Sequence, residues 1–151
     1  MAGDGSDQRT ATDLTGTAES VVRAYYAALR AGDPLDHFFA DGDVVKVGIS
    51  ERLVGGDAVR AGLREQTRTT TDWTVESRDL HVTDRGGYAW FADRVTMGWT
   101  DRRIRYEFDT RWSGTMERRT ARDGSTADHD APAGDAPWRF VGMHVSTPGE
   151  L

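Results

Sequence analysis

Apolar residues recur at helical spacing over residues 17–31, where Ala18, Val21, Val22, Tyr25, Ala28 and Leu29 fall on one face. Thr17 supplies the start of that helix and Gly32-Asp33-Pro34 its stop. Pro34 then suits the first turn of a short second helix over 35–40. The β-branched stretch 44–49 predicts a short strand, and Gly55-Gly56-Asp57 opens a third helix over 58–69 with Val59, Leu63 and Gln66 on one side. From there the period changes to two. It predicts strands over 73–82, 88–99, 103–118 and 138–146, with turns at 84–87 and 100–102. Helices followed by long hairpin-linked strands predict an α+β fold: three N-terminal helices packed on a strongly curved, mixed or antiparallel sheet that encloses one pocket.

Alternation also assigns faces. Ile104, Tyr106, Phe108, Thr110 and Trp112 share one face of their strand, against Arg105, Glu107, Asp109, Arg111 and Ser113. In the strand before it, Trp90, Ala92, Arg94 and Thr96 oppose Phe91, Asp93, Val95, Met97 and Trp99. Strict alternation in the last strand puts Trp138, Phe140, Gly142, His144 and Ser146 together. Only one sheet face can pack on the helices. The other is expected to expose Tyr106, Phe108, Trp112, Met97 and Trp99, a patch that predicts a homodimer formed sheet to sheet through the outer face. The alternative is that neighbouring Arg stems shield these rings.

Composition narrows the function classes. The 151 residues suit one domain, expected over 17–148. Residues 1–16 are rich in Gly, Asp, Ser and Thr and lack an apolar signal core, so they are expected to be a disordered tail on a cytoplasmic protein. The Asp-, Ala-, Gly- and Pro-rich stretch 120–136 is expected to be a flexible acidic loop. With no cysteine, disulfides, thiol catalysis and cysteine-bound zinc are excluded. No apolar run reaches the roughly 18 residues of a membrane-spanning helix. The acids are 18 Asp and 7 Glu; the bases are 18 Arg and a single lysine, Lys46. A net charge of -6 argues against a nucleic-acid partner. The same bias fits a GC-rich coding sequence, a salt-adapted surface, or both.

Chemistry-bearing residues gather in mid-strand: Arg94, Asp109, Arg111 and His144. A guanidinium there needs a partner if it is buried. Either the arginines pair with Asp93, Glu107 or Asp109, or they make an anion-receptive pocket, since paired Arg groups match carboxylate geometry. His37, His81, His129 and His144 show no metal-binding spacing, and no phosphate loop or nucleophile elbow occurs, so neither metal nor cofactor is expected.

The words YYAALRAGD, HFFADGDVVKVG, VGGDAVRAGL and WRFVGMHVSTP, in this order and spacing, resemble the SnoaL-like branch of the nuclear transport factor 2-like superfamily. The resemblance spans 17–148 apart from 120–136. It implies a cone of helices over a bent sheet, commonly dimeric, with a pocket in its mouth. Arg94-Val95-Thr96, Thr110-Arg111-Trp112, Trp138 and His144-Val145-Ser146 are similar to segments of the calcium/calmodulin-dependent kinase II association domain. That likeness implies Arg94 and Arg111 in the pocket with His144 nearby. Ketosteroid isomerase-like members place a tyrosine on the first helix where Tyr25 stands, seven residues before Gly32. They also need a carboxylate on the first strand, which here reads Val44-Val45-Lys46-Val47-Gly48. The resulting expectation is a homodimer that binds a small anionic or polar–apolar molecule through Arg94, Arg111, His144, Tyr25, Asp109 and Trp90. One alternative is an isomerase- or cyclase-like enzyme using the same pocket. Another is a purely structural dimerisation module, its cone filled and its mouth plugged by Trp90 and Phe140.

Overall fold

The computed structural model describes residues 13–118 and 136–149. The first helix, α1 (Ala18–Ala31), is capped as its sequence demands: the Thr17 hydroxyl accepts the Ser20 N–H at 3.0 Å, and Gly32 closes it in the left-handed region at φ 73°. Val21, Val22, Tyr25, Tyr26 and Leu29 are buried on its inner side. The expected second helix shrinks to one 3₁₀ turn, Asp36–Phe38. Phe38, Phe39 and Ala40 are all buried, and three consecutive buried residues fit no single helix face. The chain instead extends, and the Ala40 N–H bonds the Phe140 carbonyl at 3.0 Å.

Strands β1 (Val45–Val47) and β2 (Arg52–Val54) form a short antiparallel hairpin. The second helix proper, α2 (Gly56–Thr69), follows at once. Glycine suits its first residue, because a Cβ on Gly56 would press on backbone, 3.1 Å from the Ala40 carbonyl oxygen and the Gly42 nitrogen. The expected strand 73–82 is two strands, β3 (Thr71–Ser77) and β4 (His81–Asp84). The break surrounds the buried Asp93 carboxylate, which accepts the Tyr26 hydroxyl at 2.9 Å, the Ser77 hydroxyl at 2.7 Å and the Asp79 N–H at 2.9 Å. Strands β5 (Tyr88–Asp101) and β6 (Ile104–Arg118) pair along their whole length around a two-residue turn. The last strand, β7 (Trp138–Ser146), matches its expected bounds.

The sheet runs β2-β1-β7-β6-β5-β3, with β4 also on β5. Only β1 and β7 pair in parallel, so the curved sheet is mixed. Both helices lie on its concave side, where Phe91, Val95, Met97, Trp112, Met116 and Phe140 form the core with α1. This corrects the face assignment made from the sequence. Part of the aromatic row expected to sit outside lies inside: Met97 and Trp112 are buried and Trp99 stacks on Trp73 at 4.9 Å, while Tyr106, 5.6 Å from Trp99, stays 37% exposed. Met97, Trp99 and Trp112 of the expected patch therefore face the cone, and the opposite face presents Trp90, Arg94, Arg111 and Ser113.

Strict alternation also fails in β7. Thr115 pairs with Gly142 but Met116 pairs with Phe140, so Val141 is an extra residue, a β-bulge. Trp138 and Phe140 point inward before it, Met143 and Val145 after it, and His144 and Ser146 turn outward. At the N-terminus the packed chain starts inside the stretch expected to be tail. Leu14 is buried, its carbonyl accepts the Trp138 N–H at 2.8 Å, and the Gly16 carbonyl accepts the Trp138 indole at 3.1 Å. The acidic loop, save for the buried Ala136, and residues 1–12 lie outside the described residues. No described helix is long and apolar enough to cross a membrane.

Candidate functional site

Between the helices and the concave sheet is a cavity of about 250 Å³. Its walls are largely apolar: Leu29, Trp73, Met97, Trp99, Trp112 and Val145. Two of the tryptophans are fixed by side-chain bonds. The Trp112 indole donates to the Thr110 hydroxyl at 2.9 Å, which itself donates to the Val95 carbonyl at 2.6 Å; the Trp73 indole donates to the Thr70 hydroxyl at 2.8 Å. The cone is thus not filled, and neither residue expected to plug it does so. Phe140 is in the core, and Trp90 stands on the outer face, 43% exposed, with the Arg85 guanidinium 5.7 Å over its ring.

Glu65, Gln66 and Thr69 from α2, Thr70 after it and Ser50 add polar groups to the lining, and Lys46, Glu51 and Tyr25 add three more. Lys46 comes from β1, where its neighbours are Leu53 on β2 and Met143 on β7, and it is only 5% exposed. Glu51 comes from the β1–β2 turn and takes the Lys46 ammonium on Oε2 at 2.5 Å. Gly48 makes that return possible, since a Cβ there would meet the Glu51 Cγ at 2.9 Å. Glu51 Oε1 has no hydrogen bond among the described residues. The third is Tyr25 from α1, packed edge-on against Phe38, Phe140 and Trp112. Burial, and after it the negative charge of Glu51, push its phenol well above the ordinary tyrosine range. It stays protonated and is a hydrogen-bond donor without a partner among the described residues. The cavity therefore offers a flat aromatic wall, the Tyr25 donor, the Lys46 cation, the Glu51 and Glu65 carboxylates and the Gln66 amide. Among the described residues no group of His, Asp and Glu is placed to hold a metal.

The residues singled out in the sequence divide between two sides of the sheet. Tyr25 lines the cavity. Arg94, Arg111 and His144 come together, but in a depression of the outer face, with Ser113 and Ser146. Their inner neighbours Asp93, Val95, Thr110 and Trp112 occupy the concave side, and the Val141 bulge turns His144 away from it. Asp109 is also outside and accepts the Thr96 hydroxyl at 3.0 Å. A single pocket walled by Tyr25 and the arginines does not form. What the sequence reading missed was Lys46 and Glu51. A signal existed for the first: it is the only lysine in a chain that otherwise uses arginine, and it interrupts a β-branched strand. Glu51 had none, being a turn residue whose direction depends on Gly48.

Helices covering the concave side of a mixed, bent sheet around one cavity define the nuclear transport factor 2-like cone. The model of the SnoaL-like domain matches residues 18–122, and the chain belongs to that family. No curated protein matches it in sequence. Solved structures are similar at low identity. A candidate dehydratase of the nuclear transport factor 2-like family from Streptomyces avermitilis is 16% identical, with a TM-score of 0.68 over 87% of this chain and 94% of that one. A ketosteroid isomerase-like protein from Erwinia carotovora atroseptica is 15% identical, with a TM-score of 0.62 over 87% and 94%. A candidate calcium/calmodulin-dependent protein kinase type II association domain from Thiobacillus denitrificans is 18% identical, with a TM-score of 0.64 over 91% and 100%. At these identities the likeness is one of fold.

Proposed function

We propose that the concave cavity binds a small, flat, largely apolar molecule carrying a carbonyl or hydroxyl oxygen, which takes the Tyr25 hydrogen bond beside the Lys46–Glu51 pair. The observation that carries this reading is a buried, unpartnered phenol next to an ion pair whose ammonium is buried, in a tryptophan-walled space. A volume of about 250 Å³ lies at the lower edge of the roughly 300–1,000 Å³ usual for ligand sites, which suits a one- or two-ring compound. A thermal-shift series pairing aromatic ketones with hydrocarbons of the same shape tests it. Wild type should be stabilised more by the ketones, and Tyr25→Phe should respond to both sets alike. Equal responses of wild type to ketone and hydrocarbon would sink the proposal.

A second reading makes the site catalytic. Glu51 keeps Oε1 for a proton while Tyr25 holds the oxygen one bond away, an arrangement suited to moving a proton next to a carbonyl. Two of the similar structures carry dehydratase and ketosteroid isomerase-like names, and both chemistries need such a transfer. Deuterium uptake at the carbon beside a bound ketone, followed by NMR, measures it. Glu51→Gln should bind the ketone and stop the uptake; no uptake by wild type would leave the protein a binder.

A further inference from the structure

We propose that Lys46 is a covalent site: its amine condenses with the carbonyl group of a small aromatic aldehyde or ketone in the concave cavity to form an imine. This rests on the cavity being the binding site, and adds a reaction that binding alone does not need.

An amine becomes a carbonyl nucleophile when a base beside it takes its proton. Lys46 has such a base within reach of an enclosed space. It is 5% exposed among Met143, Val145, Trp112 and Tyr25, and a Glu51 oxygen lies 2.5 Å from Nζ. Every other basic side chain is arginine, which does not condense with carbonyls in this way. A mere ion-pairing role would be served by arginine, the residue this chain uses at all its other cationic positions.

The step balances with the groups present. Glu51 takes one proton from the Lys46 ammonium. The freed lone pair forms the C–N bond, and the carbonyl π pair moves to oxygen, where the Tyr25 phenol holds the developing charge by a hydrogen bond. A second proton passes from nitrogen to that oxygen, giving the carbinolamine. Glu51 then returns its proton as the C–O bond breaks and water leaves. The three ammonium hydrogens end as one on the iminium and two in the water. The iminium keeps the single positive charge, so the half-buried Glu51 carboxylate has a cationic partner whenever it is ionised.

The single lysine makes the test direct. The whole protein is incubated with benzaldehyde or with acetophenone and then reduced with cyanoborohydride. Intact-mass and peptide mass spectrometry read the product. The expected result is one added benzyl or phenylethyl group on the peptide containing Lys46, slowed at least tenfold in Glu51→Gln and absent in Lys46→Arg. Label only on the terminal amine, or equal labelling of native and urea-unfolded protein, overturns the proposal. Thermal shifts on the same samples separate the two ideas: stabilisation by acetophenone without trapping removes the imine and keeps the binding site. Lys46→Arg keeps a cation beside Glu51, so it should melt close to wild type and remain unlabelled, which assigns the loss to the amine and not to misfolding.

Discussion

Asp93 shows how much one buried side chain can decide. Its carboxylate is 4% exposed and receives three hydrogen bonds, from α1, from the end of β3 and from the break before β4. Removing one donor leaves a buried acceptor underused, so Tyr26→Phe should cost about 1–3 kcal/mol in urea unfolding, with wild-type cooperativity. His37 acts in the opposite sense. Its Nε2 is buried without a partner, and burial is the main reason its pKa lies below the ordinary 6.5. The unfolded chain therefore takes up this proton at a higher pH than the folded one. Stability is unaffected well above pH 6.5 and falls as pH drops below that value, and His37→Leu should flatten this acid slope in a series of unfolding curves. Neither behaviour was legible in the sequence. Asp93 read as one alternating position among others, and its importance comes from three donors that only the fold assembles.

At the scale of elements, the sequence was readable wherever the apolar period was long. Helix α1 and strands β5, β6 and β7 lie within a few residues of expectation, because each shows its period over several turns or pleats. Strand β2 was missed, since three residues carry no period. The Val141 bulge was missed because the run Phe140-Val141-Gly142-Met143 alternates plausibly in either phase. That phase slip sent His144 to the wrong side of the sheet in the sequence reading. The β5–β6 turn carries a cost of its own. Arg102 and Arg103 both adopt left-handed backbone, φ 52° and 69°, where asparagine and glycine are at ease. Replacing the pair by Asn-Gly should raise stability by about 1 kcal/mol, read as a higher urea midpoint at unchanged slope.

The whole molecule is a sheet with two unlike faces. The concave one is aromatic and encloses the Lys46–Glu51 pair; the outer one sets Arg94 directly opposite Arg111, and neither forms an ion pair among the described residues. Like charges across a strand pair repel, so Arg94→Gln should gain about 0.2–1 kcal/mol of stability at low salt. The gain should shrink in molar salt, as a guanidinium-free denaturation series would show. The parallel joint between β1 and β7 has a consequence for synthesis. Met143 and Val145, which complete the enclosure of Lys46 and Glu51, leave the ribosome only about a hundred residues after them. Until then the β1–β2 hairpin has α2 against it but no strand beside it, and a two-stranded hairpin is only marginally stable in water. The nascent chain must hold its aromatic ribbon without a finished cone, and closing that long loop carries an entropy cost that only the finished sheet offsets. A chain stopped before β7 loses no residue of the ion pair, yet it has nowhere to put it.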